Sequence, residues 1–195
     1  MIRELDRCEM AGIYRTQMQE DFPPAERKPW ERIEQMIEDG VYFACGLYED
    51  ETLMAYAFCV ETKGGYVLLD YYAVAEQARG KGIGSRFLEL FGEKLSERGC
   101  RALLLEVENP AFAGTEEEHR NQERRIRFYE KNGITLTKHR SRLFGVEYRI
   151  MILPVLDEFT EALVPGALDE IYHTMFPEKY FGREVVIHGD QSVTG

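Results

Sequence analysis

Residues 77–85, Gln-Ala-Arg-Gly-Lys-Gly-Ile-Gly-Ser, combine three glycines with two cations, Arg79 and Lys81. They stand between a segment with the apolar pattern of a buried strand and a segment with the apolar spacing of a helix. Glycine lets the backbone approach a ligand closely and turn successive N–H groups into one concavity. The start of the following helix adds free N–H groups and the positive end of its dipole, which favour an anion. This glycine loop, residues 79–85, therefore predicts phosphate binding.

Other interpretations of the glycine loop make different demands on its sequence. A Walker A loop needs Ser or Thr directly after its lysine, and Gly82 follows Lys81 here, so that loop is excluded. A dinucleotide-binding loop needs a third glycine where Ser85 stands and opens a βαβ unit, whereas this segment lies mid-chain. A nicotinamide-dependent oxidoreductase is therefore a remote alternative. A strand–helix turn that binds nothing stays open from the loop alone.

Four segments of the chain resemble motifs of the GNAT acetyltransferases, and they occur in that family's order. The segment from Gln77 to Gly82 is similar to the family's Q/R-x-x-G-x-G/A pyrophosphate loop. The other three resemble the strand before the loop, the Leu-Glu-Val strand after it and the helix ending in Phe/Leu-Tyr-Glu-Lys-x-Gly-Phe; they lie at residues 72–76, 105–107 and 125–134. The resemblance extends over residues 1 to about 153. It implies an N-acetyltransferase that uses acetyl-CoA.

The resemblance also implies where acetyl-CoA binds. In the family the co-substrate lies where two parallel central strands splay apart, and these correspond to residues 66–74 and 101–107 here. Backbone groups of Tyr72, Ala73 and Val74 are expected to pair with the pantetheine arm. The amides expected to hold the pyrophosphate belong to Arg79, Gly80, Lys81, Gly82, Ile83, Gly84 and Ser85. No metal is implied.

Direct attack of a neutral amine on a thioester requires one group that accepts a proton and one that donates a proton. Tyr129 matches the family tyrosine that protonates the departing thiolate, and a phenol with a pKa of about 10 is a suitable donor to a thiolate whose thiol has a pKa of about 8.5. Glu106 falls where some members place a general base, and Asp70 where others carry a proton-accepting histidine. Glu108, two residues beyond Glu106 and so on the same strand face, is a weaker candidate. Structural hydrogen bonds are the alternative for Glu106 and Asp70, and packing beside Ile126 is the alternative for Tyr129.

One part of the motif helix departs from the family pattern. Members carry asparagine and alanine, spaced Asn-x-x-Ala, before the tyrosine, where this chain has Gln122 and Arg125. The asparagine's contact to CoA is therefore expected from Gln122 or from Asn121. Arg124 and Arg125 are expected on a solvated face, with a contact to phosphate as the alternative. The basic cluster at residues 138–142 is expected to be a solvated hairpin turn rather than a binding patch.

Apolar periodicity predicts the elements that must position these groups. Their order predicts an α/β (α+β) fold with a mixed sheet and helices on both faces, and the resemblance implies the GNAT fold, whose central sheet is mostly antiparallel. Residues 1–155 are expected to form the acetyltransferase domain and residues 156–195 a short C-terminal appendage of one helix and one strand. Strands are predicted at residues 1–7, 42–48, 52–61, 66–74, 101–107, 134–139, 146–153 and 184–188, and helices at residues 9–20, 26–38, 83–99, 116–131 and 165–176.

The composition narrows the class of protein. The chain has 195 residues, of which 44% are hydrophobic and 30% charged, as is typical of a globular protein. Its net charge of −11 disfavours a nucleic-acid partner, because proteins that bind nucleic acid present a basic surface. The same charge would attract a cationic amine, although acidic surfaces also serve solubility alone.

No membrane partner and no secretory signal are expected. The longest apolar run, Leu53 to Val60, is too short to span a bilayer. The first six residues carry acids in place of an apolar signal segment. Four scattered cysteines and four dispersed histidines have no metal-ligand spacing, so no metal site is expected. These features predict a cytoplasmic protein.

The expected reaction is transfer of an acetyl group from acetyl-CoA to a primary amine, with a small-molecule amine as the leading acceptor. A protein or peptide N-acetyltransferase and a non-catalytic acyl-CoA-binding protein are the alternatives. The appendage has several aromatic residues between positions 162 and 188. It is expected to cover the acceptor site or to form a contact in a homodimer, unless its aromatic side chains only pack internally.

Overall fold

The computed structural model describes residues 1–156 and 158–188, and it places them in eight β-strands and six α-helices. Strands and helices are interspersed along the chain, which confirms the predicted α/β class. The chain divides into two compact units. One is formed by Met1–Glu61 and Leu69–Lys94, and the other by Thr62–Leu68 and the residues from Leu95 onward.

The first unit contains the N-terminal strands and helices. Strands β1, β2 and β3 pair antiparallel in this order, and β4 lies beside β3. Residues 42–47 of β2 are buried in succession, so both faces of that strand are covered. Its elements are β1 (Ile2–Glu4), α1 (Arg7–Arg15), α2 (Gln17–Asp21), α3 (Trp30–Glu38), β2 (Tyr42–Glu49), β3 (Thr52–Glu61) and most of β4 (Tyr66–Val74) and α4 (Ile83–Glu97).

The N-terminal helices differ from their predicted bounds where the backbone leaves helical geometry. Residues 9–20 are predicted as one helix, but Thr16, at φ −121° and ψ −90°, separates α1 from α2. Helix α3 begins directly after Pro29, later than predicted, because proline disfavours helical geometry in the residue before it. Strand β1 ends before Asp6, whose side chain caps α1 by accepting a hydrogen bond from the Glu9 amide.

The second unit contains the remaining strands and helices. Its strands lie in the order β5-β7-β6-β8, and each neighbouring pair is antiparallel. Residues 102–105 of β5 are buried in succession, as the sequence predicts for a central strand. The elements are β5 (Ala102–Glu108), α5 (Glu116–Lys131), β6 (Thr135–Leu143), β7 (Val146–Pro154), α6 (Val164–Met175) and β8 (Val185–His188).

Strand β6 is longer than predicted and includes the basic cluster at residues 138–142. Arg140 lies opposite His188 on β8, so the C-terminal strand extends the pairing of β6. The turn follows later, at Phe144 and Gly145, which both have positive φ. The prediction that residues 138–142 form a hairpin turn is therefore wrong, because residues 140–142 pair with β7 on one side and with β8 on the other, and no local pattern indicates the distant β8 partner.

Helix α6 is an integral part of the second unit. Six residues of its apolar face are buried, and Glu170 accepts a hydrogen bond from the Gly64 amide at 2.7 Å. A Cβ at Gly64 would lie 2.4 Å from the Glu170 carboxylate, so a larger residue there would displace this contact. The helix is thus held by both packing and hydrogen bonding. The domain boundary at residue 155 remains a prediction.

Candidate active site

The glycine loop has the backbone conformation that its glycines predict. Gly80 and Gly82 have φ values of +73° and +80°, in the left-handed region that residues with a side chain rarely adopt. A Cβ at either position would meet no heavy atom of the described residues within 4 Å. Internal packing therefore does not require these glycines. Their backbone conformation requires them, and the space beside each is open to a ligand.

Amide groups of this loop are available as hydrogen-bond donors. Helix α4 begins at Ile83, and its first hydrogen bond runs from the Arg86 amide to the Gly82 carbonyl at 3.1 Å. Within residues 1–156 and 158–188, none of the amides of residues 80–85 donates a hydrogen bond. Successive N–H groups at a helix N-terminus form an anion-binding concavity. The exposed side chain of Lys81 adds a positive charge to this loop.

Arg79 connects the loop to helix α2 rather than extending freely into solvent. Its Nε donates to the Val74 carbonyl at 2.9 Å, and its guanidinium forms an ion pair with Asp21 at 2.8 Å. The Tyr56 hydroxyl donates to the other oxygen of Asp21 at 2.9 Å. Burial, together with the charge of Asp21, raises the pKa of Tyr56 well above its ordinary value. Both oxygens of Asp21 therefore accept hydrogen bonds within the first unit.

The end of strand β4 is fastened to the first turn of α4. The Tyr72 hydroxyl donates to the Gly84 carbonyl at 2.9 Å, and the ring of Tyr72 lies 5.2 Å from that of Phe87. Ala73 is buried, and the carbonyl of Val74 accepts from Arg79. The first unit therefore holds all the predicted pantetheine and pyrophosphate contacts on one strand–loop–helix segment. That these residues bind CoA stays a prediction.

Asp70 lies in a buried ion pair of the first unit, with its side chain only 7% exposed. Its Oδ1 accepts from Nζ of Lys28 at 2.5 Å and its Oδ2 from the Tyr42 hydroxyl at 2.6 Å. Burial, followed by the charge of Asp70, raises the pKa of Tyr42 well above its ordinary value. The hydroxyl of Tyr71 accepts from the Lys28 amide at 2.7 Å and so fixes the backbone of the same segment. Both oxygens of Asp70 thus have a structural role.

Glu106 lies on β5 of the second unit and is held by residues from two other elements. The Tyr172 hydroxyl on α6 donates to Oε1 of Glu106, and Oγ of Ser141 on β6 donates to the same oxygen at 3.3 Å. Tyr172 and Ser141 are fully buried, whereas Glu106 is partly exposed. Burial, followed by the charge of Glu106, raises the pKa of Tyr172 far above its ordinary value. The neutral phenol therefore remains a hydrogen-bond donor.

Tyr129 lies near the end of helix α5, which begins with a capping box between Thr115 and Glu118. The residue is only 8% exposed and shares the buried face of α5 with Ile126. Burial raises the pKa of Tyr129 to about 12, and the charge of Arg125 partly opposes this shift. The hydroxyl therefore carries its proton at neutral pH, which an acid requires. Tyr129 also packs on the same helix face as Ile126, so its surroundings fit the packing interpretation as well as the catalytic one.

Gln122 shares the face of α5 that carries Tyr129, because the two residues are seven positions apart. Its Nε2 donates to Oε2 of Glu108 at 3.4 Å, and Arg125 lies 3.6 Å from the same oxygen. Its Oε1 is buried and has no hydrogen-bond partner within the described residues. An unsatisfied buried acceptor costs about 1–3 kcal/mol, so a ligand donor would be favourable there. Two residues of α5 therefore contact the carboxylate of Glu108.

The two units divide the predicted site residues between them. The first unit contains the predicted residues of β4 and of the glycine loop, namely Asp70, Tyr72, Ala73, Val74 and residues 79–85. The second unit contains Glu106, Gln122 and Tyr129. Four partners of the two candidate bases described above were not predicted from the sequence: Lys28 and Tyr42 for Asp70, and Ser141 and Tyr172 for Glu106. Tyr172 is 66 residues from Glu106 in the sequence. The only sequence signal for it is that it is one of the aromatic residues of the C-terminal appendage, also called the C-terminal segment below (residues 156–195).

Metal-binding clusters and membrane-spanning helices are both absent from the part of the chain that the structure describes. Three or more His, Cys, Asp or Glu side chains nowhere cluster there in a way that could hold a metal ion. None of the described helices has the length and apolar character needed to cross a bilayer.

The sequence and the fold were compared with known proteins. A profile of the Acetyltransferase (GNAT) family matches residues 9–134. No curated protein matches the chain. Among solved structures, a protein from Bacteroides thetaiotaomicron described as an acetyltransferase of the GNAT family is 21% identical, with a TM-score of 0.68 over 88% of this chain and 96% of its own.

Two further similar structures carry their acceptors in their names. The ribosomal-protein-S18-alanine N-acetyltransferase from Escherichia coli is 20% identical, with a TM-score of 0.55 over 82% of this chain and 98% of its own. A spermidine N-acetyltransferase chimera of the Vibrio cholerae protein is 12% identical, with a TM-score of 0.61 over 80% of this chain and 96% of its own. At these identities the likeness establishes the fold, and the acceptors are those of the other proteins.

Proposed function

Because the chain belongs to the GNAT family of acetyltransferases, we propose that it transfers the acetyl group of acetyl-CoA to a primary amine of a small molecule. The observation that carries this proposal is the glycine loop. Two of its glycines have positive φ, its backbone amides donate no hydrogen bond within the described residues, and the side chain of Lys81 is exposed. Together these features suit a pyrophosphate. The loop also lies inside the segment that matches the family.

The proposed reaction is direct transfer without a covalent enzyme intermediate. The neutral amine attacks the thioester carbon, the C–N bond forms and the C–S bond breaks. The base accepts the proton that the amine loses, and the departing thiolate takes a proton from Tyr129. Because the pKa of Tyr129, about 12, lies above that of a thiol, about 8.5, its hydroxyl acts on the departing thiolate chiefly as a hydrogen-bond donor. The proton that the thiolate finally keeps is replaced on Tyr129 from solvent, to which the base releases the proton of the amine.

We place Glu106 before Asp70 as the base. Oδ1 of Asp70 forms an ion pair with Lys28, and its Oδ2 accepts a hydrogen bond from the Tyr42 hydroxyl. The donors to Oε1 of Glu106 are the neutral hydroxyls of Tyr172 and Ser141, and its side chain keeps partial exposure. A carboxylate that solvent or substrate can reach is the better proton acceptor.

A small cationic amine is the acceptor that we favour. The net charge of −11 raises the local concentration of cations, and a spermidine N-acetyltransferase is among the similar folds. An acceptor on a protein N-terminus is the rival, since the ribosomal-protein-S18-alanine enzyme has the same fold. A cytoplasmic location and a homodimer belong to the proposal as well.

A panel of amines tests the proposed function. Purified protein is incubated with acetyl-CoA and polyamines, aminoglycosides, amino acids and N-terminal peptides, and thiol release is followed. Turnover of a small amine supports the proposal, and turnover of peptides alone replaces it with the rival. CoA binding by calorimetry with no turnover across the panel would show a non-catalytic acyl-CoA-binding protein instead.

The Tyr129→Phe variant tests the assigned acid. We expect its turnover to fall by about a hundredfold with CoA affinity retained, because the variant loses the proton donor but keeps the packing beside Ile126. Steady-state kinetics and calorimetry measure the two quantities. Tyr180→Phe removes a phenol elsewhere in the second unit and serves as the control. Unchanged turnover in Tyr129→Phe would remove Tyr129 from the mechanism.

A further inference from the structure

We propose that Tyr172, on helix α6 of the C-terminal segment, is a positioning residue that orients Glu106 for proton transfer. This inference rests on the proposed acetyltransferase reaction with Glu106 as its base. Tyr172 lies beyond residues 9–134, which match the family, so no family motif assigns it a role. The C-terminal segment would then be part of the catalytic apparatus rather than an accessory.

The contact geometry supports this role. The hydroxyls of Tyr172 and Ser141 both donate to Oε1 of Glu106, so one carboxylate oxygen is held from two directions. The terminal torsion of a glutamate side chain is otherwise broad and has no sharp preferred value. Two hydrogen bonds from fully buried donors restrict that torsion. The partly exposed carboxylate is therefore presented in one orientation.

Helix α6 holds the Tyr172 hydroxyl in place through several anchors in the second unit. Glu170 accepts from the Gly64 amide at 2.7 Å, and Glu161, just before the helix, accepts from the Lys138 amide at 2.8 Å. After the helix, the ring of Phe176 lies 5.4 Å from that of Phe144. Because α6 is fixed before, along and after its length, the position of the hydroxyl is set by the fold of the unit.

A phenol is required at this position by the hydrogen bond rather than by packing. The other buried residues of α6 are all apolar, so phenylalanine would satisfy the packing equally well. Burial and the charge of Glu106 raise the pKa of Tyr172, so the hydroxyl stays a donor throughout the range in which carboxylates titrate. A hydrogen bond donated to a carboxylate favours its ionised form. Removing the hydroxyl should therefore let Glu106 take up its proton at a higher pH.

Other titratable groups must be kept constant in any test of this effect. These include Tyr148 on β7, whose charge acts on Tyr172, and two groups that lie two residues along a strand from the contact: Glu108 from Glu106 and His139 from Ser141. His139 contacts the Glu161 carbonyl at 3.2 Å, and Glu108 is paired with Arg125. A Tyr172→Phe substitution leaves all of them in place. The difference between variant and wild type therefore reports the Tyr172 hydroxyl.

The experiment compares pH profiles of kcat/KM for the wild type, Tyr172→Phe and Glu106→Gln. In Tyr172→Phe we expect the acidic limb to move to higher pH by about one unit, which corresponds to the loss of one hydrogen bond to a charged group. Glu106→Gln should lose this limb, and Tyr172→Phe added to Glu106→Gln should change nothing further. Carbon-13 NMR of labelled glutamate side chains follows the titration of Glu106 directly, without any acceptor.

Two controls separate positioning from folding. Tyr180→Phe removes a phenol of the same segment that does not contact Glu106, and Ile171→Val trims the buried face of α6 next to Tyr172. Both should keep the wild-type pH profile. An equal loss of rate at all pH values in Tyr172→Phe, or an unmoved titration of Glu106 by NMR, would overturn the inference. If the wild type lacks turnover with every amine, the proposed function fails, and the NMR titration alone still decides the inference.

Discussion

At the scale of single residues, the two carboxylates considered as bases lie in different surroundings. Asp70 is 7% exposed and faces the ammonium of Lys28, which is itself 23% exposed. Glu106 is partly exposed and faces neutral hydroxyls of Tyr172 and Ser141. A buried ion pair is costly to break, because the partner that remains is left without compensation. We therefore expect the two carboxylates to respond differently to the same amide substitution.

The Asp70→Asn substitution should act on stability. It leaves the ammonium of Lys28 without its counter-charge, and we expect the free energy of unfolding to fall by about 2–3 kcal/mol, somewhat less than for a fully buried pair. Urea denaturation measures this change. Arg127→Gln, which breaks the exposed pair with Glu123, is the control and should cost about 0.5 kcal/mol or less. A stable Asp70→Asn variant that has lost turnover would instead make Asp70 the base.

At the scale of elements, the strand–loop–helix segment from β4 to α4 is built as one piece. The Tyr72 hydroxyl donates a hydrogen bond to the first turn of α4. Arg79 donates a hydrogen bond to the end of β4 and forms an ion pair with Asp21 of α2. The loop amides between these fixed points have no acceptor among the described residues. A preorganised set of donors binds an anion without the entropic cost of ordering a flexible loop.

The Gly82→Val substitution tests that segment. We expect it to abolish CoA binding, because the side chain would fill the space beside the loop that is open to a ligand. Calorimetry with CoA measures binding, and circular dichroism measures folding. Gly99→Val is a matched control, since Gly99 has φ +79°, open space around it and a place beyond the other end of α4. It should carry a similar backbone strain of about 1–2 kcal/mol and still bind CoA. CoA binding by Gly82→Val would refute the loop assignment.

At the scale of the whole molecule, buried tyrosines dominate the response to alkaline pH. Among the described residues, burial raises the pKa of five tyrosines whose side chains are buried, and in four of them the charge of a nearby aspartate or glutamate adds to the shift. Both compact units contain such residues. The five residues are Tyr42, Tyr56 and Tyr71 in the first unit and Tyr129 and Tyr172 in the second.

These tyrosines predict cooperative unfolding in alkali. In the unfolded chain each ionises at a pKa of about 10, whereas in the folded chain each stays neutral to higher pH. Their contribution is therefore complete below pH about 10 and is lost as pH rises, by up to about 1.4 kcal/mol per residue and pH unit. Five residues together lose about 7 kcal/mol over one unit, comparable with the stability of a typical domain, so we expect unfolding near pH 11. Tyrosinate absorbance and circular dichroism should change together. Gradual tyrosinate formation in a chain that stays folded would contradict this prediction.

The acceptor is a property of the whole molecule that the family alone does not assign. Members of one fold act on a ribosomal protein and on spermidine, as the two named enzymes illustrate. Acceptor choice depends on side chains that line the acceptor site rather than on the loop that binds CoA. The amine panel therefore carries more information about this protein than a further comparison of folds.

The sequence by itself determined the glycine loop, the motif helix and the family. Positive φ at Gly80 and Gly82 follows from local chemistry, and α5 has the predicted bounds because its capping residues and apolar spacing are local. The GNAT family could be predicted because four short segments resemble its motifs and occur in the family's order along the chain. Each of these signals lies within a few residues, so the sequence displays it directly.

Only the tertiary structure decided which side chains hold the candidate catalytic groups. Tyr172 meets Glu106 across 66 residues, Lys28 meets Asp70 across 42, and β8 extends β6 through the basic cluster. Contacts of this kind depend on strand pairing and on the packing of one helix against the sheet, and no local pattern encodes them. For the same reason only the packing of α6 in the second unit shows the contact between the C-terminal appendage and Glu106.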